Sequence, residues 1–290
     1  MTLNAPPEDW LRSLNRKFRE CDIHVRRRPF LALDQYCKDF GLVAVASDST
    51  PAKTIFDWFT ANTKAGTHQI GSLFTGVFYY DSCFWPVDVF IGGGQLQLNA
   101  VDSLQAMTDP MKSELMSRPE TAWPYVLTWA NSVDYGYGID DLLKTLPADE
   151  ILARSLLENA DRELRAAVAQ LLEHRPNSKA AMSCRMATEI FLKAFLVFKA
   201  KLSEPEIRTF NHHLDKLLSR VQKIDAAHEV LTIEKQLAAF PTISERYTGA
   251  ELAPTAMWLT YEIALHVAAA IVRSLTDRNL RAAVLSQNAY

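Results

Sequence analysis

The chain has 290 residues, 48% of them hydrophobic and 22% charged, with a formal net charge of −3. Its 10 glycines and 13 prolines exclude a collagenous, low-complexity or disordered polypeptide. Residues 1–146 carry 13 basic and 17 acidic side chains and the remainder 18 and 17, so neither half is the basic domain that grips duplex DNA by phosphate charge.

At about 150 residues per domain, the length suggests two domains. Nine of the ten glycines fall at or before Gly138, and five of the six tryptophans precede Trp258. Glycine mixed with aromatics favours strands and turns, and a long glycine-poor stretch favours helix. The expectation is an α+β chain. Residues 1–146 form a mixed domain with an antiparallel sheet, and residues 147–290 an all-α antiparallel up-down bundle. Cys21, Cys37, Cys83 and Cys184 have no C-x-x-C spacing, and Met1 to Asp9 lacks a basic start and apolar core, so a reducing cytoplasm is expected. The apolar stretch Ala253 to Val272 contains Pro254, Glu262 and His266 and reads as a buried helix rather than a membrane span.

In chain order, Trp10, Leu11, Leu14 and Phe18 have helical spacing and predict a helix over Glu8 to Glu20. The basic cluster His24-Val25-Arg26-Arg27-Arg28 follows, read as a solvated or ion-paired face with phosphate contact as the sharper alternative. Phe30 to Phe40 predicts a second helix ended by Gly41, and Leu42 to Ala46 a short strand. Ser49-Thr50-Pro51 supplies an N-cap and a first-turn proline for a helix to about Thr63. Ile70 to Tyr80, Cys83 to Ile91 and Gln95 to Val101 predict an antiparallel meander, with Asp81-Ser82 and Gly92-Gly93-Gly94 as turns. Met107 to Leu127 reads as short helices and turns, and Asp134 to Asp141 as an acidic, aromatic loop leading out of the first domain.

Past Pro147 the pattern is helical. Helices are predicted over Ala148 to His174, Lys179 to Lys201, a short segment started by Ser203-Glu204-Pro205-Glu206, Leu214 to Ile224, Ala226 to Phe240 and Thr255 to Arg278. Arg185, Glu189 and Lys193 at i, i+4 and i+8 form one polar stripe on an otherwise apolar helix. The bland reading is an ion-paired face. The functional one is a groove in which a guanidinium, a carboxylate and an ammonium meet phosphate or base. His212 and His213 are adjacent, so at most one points inward.

Three ordered elements carry a resemblance. Met182 to Ala194 leads through an alanine-rich stretch to Glu189 and Leu192-Lys193-Ala194; His213-Leu214-Asp215 with Leu217-Leu218 follows; Arg246-Tyr247 stands in the loop before the final helix. Over roughly residues 149–278 this order resembles HEPN domains. The resemblance implies a helical bundle, dimerisation and either of two activities. Members associated with nucleotidyltransferases act as binding or regulatory modules, which here implies nucleotide or RNA binding by Arg185, Glu189, Lys193, His213, Arg246 and Tyr247. Other members are metal-independent ribonucleases with an Arg-x(4–6)-His pair, which Arg208 and His213 match in spacing, although that pair normally lies near the last helix. There a histidine moves the 2′-hydroxyl proton while an arginine stabilises the phosphorane. Neither activity calls for a metal or cofactor. The expected partners are nucleotide or RNA and a second copy of the chain through the bundle, with no membrane and no duplex DNA.

Gly71-Ser72-Leu73-Phe74-Thr75-Gly76 with Asp81-Ser82-Cys83 resembles the Gly-Ser … Asp-Ser-Asp pattern of minimal nucleotidyltransferases. Cys83 stands where the second metal-binding aspartate belongs. The resemblance therefore implies a degenerate transferase fused to the bundle, against the plainer reading of a meander with an Asp-Ser turn.

Overall fold

The computed structural model describes residues 4–23, 25–42, 49–63, 72–90, 99–247 and 251–287. It is an α+β structure, mostly helical, with one two-stranded antiparallel sheet among the described residues. By contacts the chain forms two compact units. One comprises residues 1–71 and 91–97, the other residues 72–90 and 98–290.

The first unit contains α1 (Glu8–Glu20), α2 (Arg28–Asp39) and α3 (Thr50–Asn62). Leu11, Leu14 and Phe18 of α1 meet Ala32 and Tyr36 of α2 and Ile55 and Phe59 of α3 in one small core. Ser49 caps α3 as expected, its hydroxyl accepting from the Ala52 amide at 3.4 Å. Arg28 leaves the basic cluster and turns inward. It is 8% exposed, donating Nε to the Ile23 carbonyl at 2.8 Å and Nη1 to Asn15 at 3.1 Å. A guanidinium so engaged does not reach a phosphate, whereas Arg27 is exposed. The strand expected over Leu42 to Ala46 falls, from residue 43 on, outside the described residues.

The second unit begins with a hairpin, β1 (Phe74–Tyr80) and β2 (Cys83–Val89), in a register from Phe74 opposite Val89 to Tyr80 opposite Cys83. Asp81 and Ser82 both have positive φ, 49° and 61°, as the two central residues of a tight hairpin turn require. The expected third strand lies mostly outside the described residues. Its end, from Asn99, caps a 3-10 turn over Ala100–Ser103. Then come α4 (Asp109–Ser117), α5 (Pro119–Thr145), α6 (Ile151–Leu171), α7 (Lys179–Ala200), α8 (Glu204–Thr209), α9 (Leu214–Ile224), 3-10 turns over Glu229–Ala239 and Ile243–Tyr247, α10 (Pro254–Leu275) and α11 (Leu280–Gln287).

Two expectations are corrected. Asp134 to Asp141 is not a loop but the middle of α5, a helix of 27 residues. Nor does the chain divide at Pro147, because α5 packs on α10 and carries the hairpin against the bundle. The four long helices are thus α5, α6, α7 and α10, and the sheet belongs with them. Glycine makes this packing close. A Cβ on Gly136 would stand 2.9 Å from the Phe74 Cβ, and one on Gly138 2.1 Å from Val272 Cγ1. On the hairpin, a Gly76 Cβ would meet Ser132 Oγ of α5 at 2.5 Å. Phe74 then stacks edge-on against Tyr135, and Phe78 against Tyr125 and Trp258, at centroid distances of 4.8, 5.1 and 5.4 Å. The segment expected as a helix over Ala226 to Phe240 is a run of 3-10 turns instead.

α10 alone among the described helices is long and apolar enough to cross a bilayer, and it packs against both α5 and α7. From Ile263 to Val272, ten residues include nine that are buried.

Candidate functional site

The polar stripe of α7 is brought together on one target, the turn between α8 and α9. Asn211 takes positive φ, 47°, which turns the chain sharply there. Lys193 Nζ donates to Glu189 at 2.6 Å and to the Asn211 carbonyl at 2.9 Å. Arg185 Nη2 donates to the His212 carbonyl at 2.9 Å. Glu189, only 2% exposed, meets His212 Nδ1 at 3.0 and 3.2 Å. A buried carboxylate accepts and does not donate, so Nδ1 carries a proton, and in the neutral ring Nε2 then holds the lone pair. The His212 side chain is 53% exposed and Nε2 has no protein partner among the described residues. Burial holds the Arg185 guanidinium below its ordinary pKa, opposed by Glu189 and Asp215.

The histidine that joins the stripe is therefore His212, not His213. His213 occupies the N-cap of α9, exposed, with Nδ1 3.9 Å from Asp215. Arg208 lies on α8, its guanidinium 2.5 Å from Glu204 and 78% exposed. No hydrogen bond or ion pair joins Arg208 to His213 among the described residues. α8 itself starts as its sequence requires, with Glu206 accepting from both the Ser203 amide at 2.8 Å and its hydroxyl at 2.6 Å. Arg246 and Tyr247 end the 3-10 turn Ile243–Tyr247, and their side chains lie outside the described residues.

Protein-family models, curated proteins and solved structures yield no match to this chain.

The transferase-like segment has a structural role in its described part. Thr75 donates to Asp88 at 2.9 Å, Asp81 is an exposed turn residue, and Gly76 gives room to Ser132. Among the described residues no group of three or more His, Cys, Asp and Glu side chains is placed to hold a metal ion.

A second polar cluster escaped the sequence reading. Arg273, near the end of α10, donates Nε to Glu229 at 2.7 Å and Nη1 to Asn131 and Asp134 of α5, both at 3.0 Å. Asp134 in turn accepts from the backbone amides of Leu280 and Arg281 at 2.6 and 3.1 Å, capping α11 from another helix. Burial acts against the Glu229 carboxylate, but the Arg273 hydrogen bond and charge outweigh it and hold its pKa below the usual range. Burial also pushes His228 and His266 down, each opposed by the Glu229 charge. His228 Nδ1 accepts from the Val230 amide at 3.2 Å, so its ring is neutral with the proton on Nε2. These groups hold four segments together in the interior. The sequence signal was a lone arginine closing the most apolar helix, with a histidine seven residues before it on the same face.

Proposed function

We propose that this protein is a binding module for RNA or nucleotides, working as a homodimer through its helical bundle, with His212 as the ligand-facing residue. One observation carries the reading: a buried carboxylate fixes the His212 imidazole on a turn locked by Arg185 and Lys193, leaving Nε2 to solvent. A histidine whose only task is to pair with Glu189 needs no such exposure. Arg185 and Lys193 each donate to a backbone carbonyl of the turn and so position it. In its neutral form Nε2 accepts a hydrogen bond, for which a ribose 2′-hydroxyl or a base N–H is the fitting donor. The arrangement agrees with the resemblance to HEPN domains, whose Glu-bearing helix and histidine segment are the elements that meet here.

The same lone pair favours a second reading, metal-independent ribonuclease action. Nε2 would take the 2′-hydroxyl proton while Nδ1–H stays on Glu189. His212 then replaces His213 as base, and Arg208 would have to leave Glu204 to meet the phosphate.

Anisotropy titration of a labelled 12-nucleotide RNA separates these readings. His212→Ala is expected to weaken binding at least tenfold, about 1.4 kcal/mol, and His213→Ala less than threefold. No binding by the wild type, or equal binding by His212→Ala, contradicts the proposal. RNA cleavage in EDTA that disappears with His212→Ala establishes the ribonuclease instead.

A further inference from the structure

An open groove of about 1170 Å³ runs between α6, α7, the 238–245 segment and the start of α10. It exceeds the roughly 300–1,000 Å³ of pockets for small ligands. Its apolar lining includes Met182 and Met186 of α7 and Met257 of α10, beside Leu252 and Phe240. Unbranched thioethers adapt to varied apolar shapes and recur where proteins receive helices. Along α6 the lining includes Glu163 and Gln170, with Glu173 just past the end of the helix. Seven helical steps span about 10 Å, the length of two turns of a docked helix.

Charge decides what fits. Among the described residues, Glu163, Glu173, Glu245 and Glu251 line the groove against Arg175 and Lys179. Glu245 is engaged by the Thr242 amide and hydroxyl, whereas Glu163, Glu173 and Glu251 make no ion pair among the described residues. Surplus carboxylates repel phosphate, which opposes a nucleic acid and suits a cation.

We propose that this groove receives a basic amphipathic helix of a partner protein. Its apolar face lies on the methionines, and its lysines or arginines face the glutamates. The site is separate from His212 and does not rest on the RNA reading.

The test is anisotropy with the full chain and a labelled 14-residue leucine/lysine peptide of helical periodicity, beside a leucine/glutamate peptide of the same pattern. The leucine/lysine peptide is expected to bind, more weakly as salt rises, at least tenfold more tightly than its acidic counterpart. Two variants are each expected to weaken it at least fivefold, Met182→Lys and the double charge reversal Glu163→Lys/Glu251→Lys, with helical circular dichroism unchanged. Failure of the wild type to bind, equal binding of the acidic peptide, or a loss below fivefold in the charge-reversed variant overturns the proposal. So does displacement of the peptide by a 12-nucleotide RNA.

Discussion

With leucine in place of Arg273, urea unfolding followed by helical circular dichroism is expected to show a loss of about 3–5 kcal/mol, the cost of breaking a buried ion pair from one side. Arg273 and Asp134 have side chains only 3% and 2% exposed. Removing the guanidinium leaves the Asp134 charge in the interior with, among the described residues, the two α11 amides as its partners, and strips Glu229 of its closest cation. Asp134→Asn removes that stranded charge while keeping an acceptor for the α11 cap. The double variant Arg273→Leu/Asp134→Asn is therefore expected to lose clearly less than the two single losses added together. A loss below about 1 kcal/mol for Arg273→Leu, the range of an exposed ion pair, would show that the cluster does not hold the bundle.

Gly138→Ala tests the packing of α5 by its sign. In a solvated helix interior, alanine in place of glycine stabilises by about 1 kcal/mol. Here the new Cβ meets Val272 Cγ1 at 2.1 Å, and Val272 is fully buried and stiff about its first torsion. The expected result is destabilisation by about 1–3 kcal/mol, as for other overpacked cores. In Gly138→Ala/Val272→Ala the clash is absent, so the two changes should couple favourably by about 1 kcal/mol or more in a double-mutant cycle. A stabilised Gly138→Ala chain would mean that α5 and α10 do not approach this closely.

These two positions also mark where the sequence stopped being legible. Elements whose cause is local were readable: α1 and α9 have the expected limits, and Ser49, the Ser203/Glu206 box and the Asp81-Ser82 turn do what their residue types favour. α5 was hidden because its glycines look like breakers until the hairpin and α10 are seen to need the space. The Arg273 cluster was hidden because its partners Asn131 and Asp134 are 142 and 139 residues away in the chain. At the candidate site, the spacing of Arg185, Glu189 and Lys193 was sufficient to predict a shared face. It did not tell which of two adjacent histidines would turn toward Glu189. That choice depends on the positive φ of Asn211, which places His212 over the stripe and leaves His213 as the helix cap.

The proposal that His212 faces the ligand depends on a proton position that can be observed directly. A long-range ¹H–¹⁵N spectrum of the imidazoles, assigned with His212→Ala, reads which nitrogen of His212 carries the proton and whether the other responds to ligand. At neutral pH the expected result is the Nδ1–H form, held by Glu189, with the Nε2 signal shifting on addition of a 12-nucleotide RNA. An Nε2–H form, or an Nε2 signal that RNA leaves unmoved, would contradict the account.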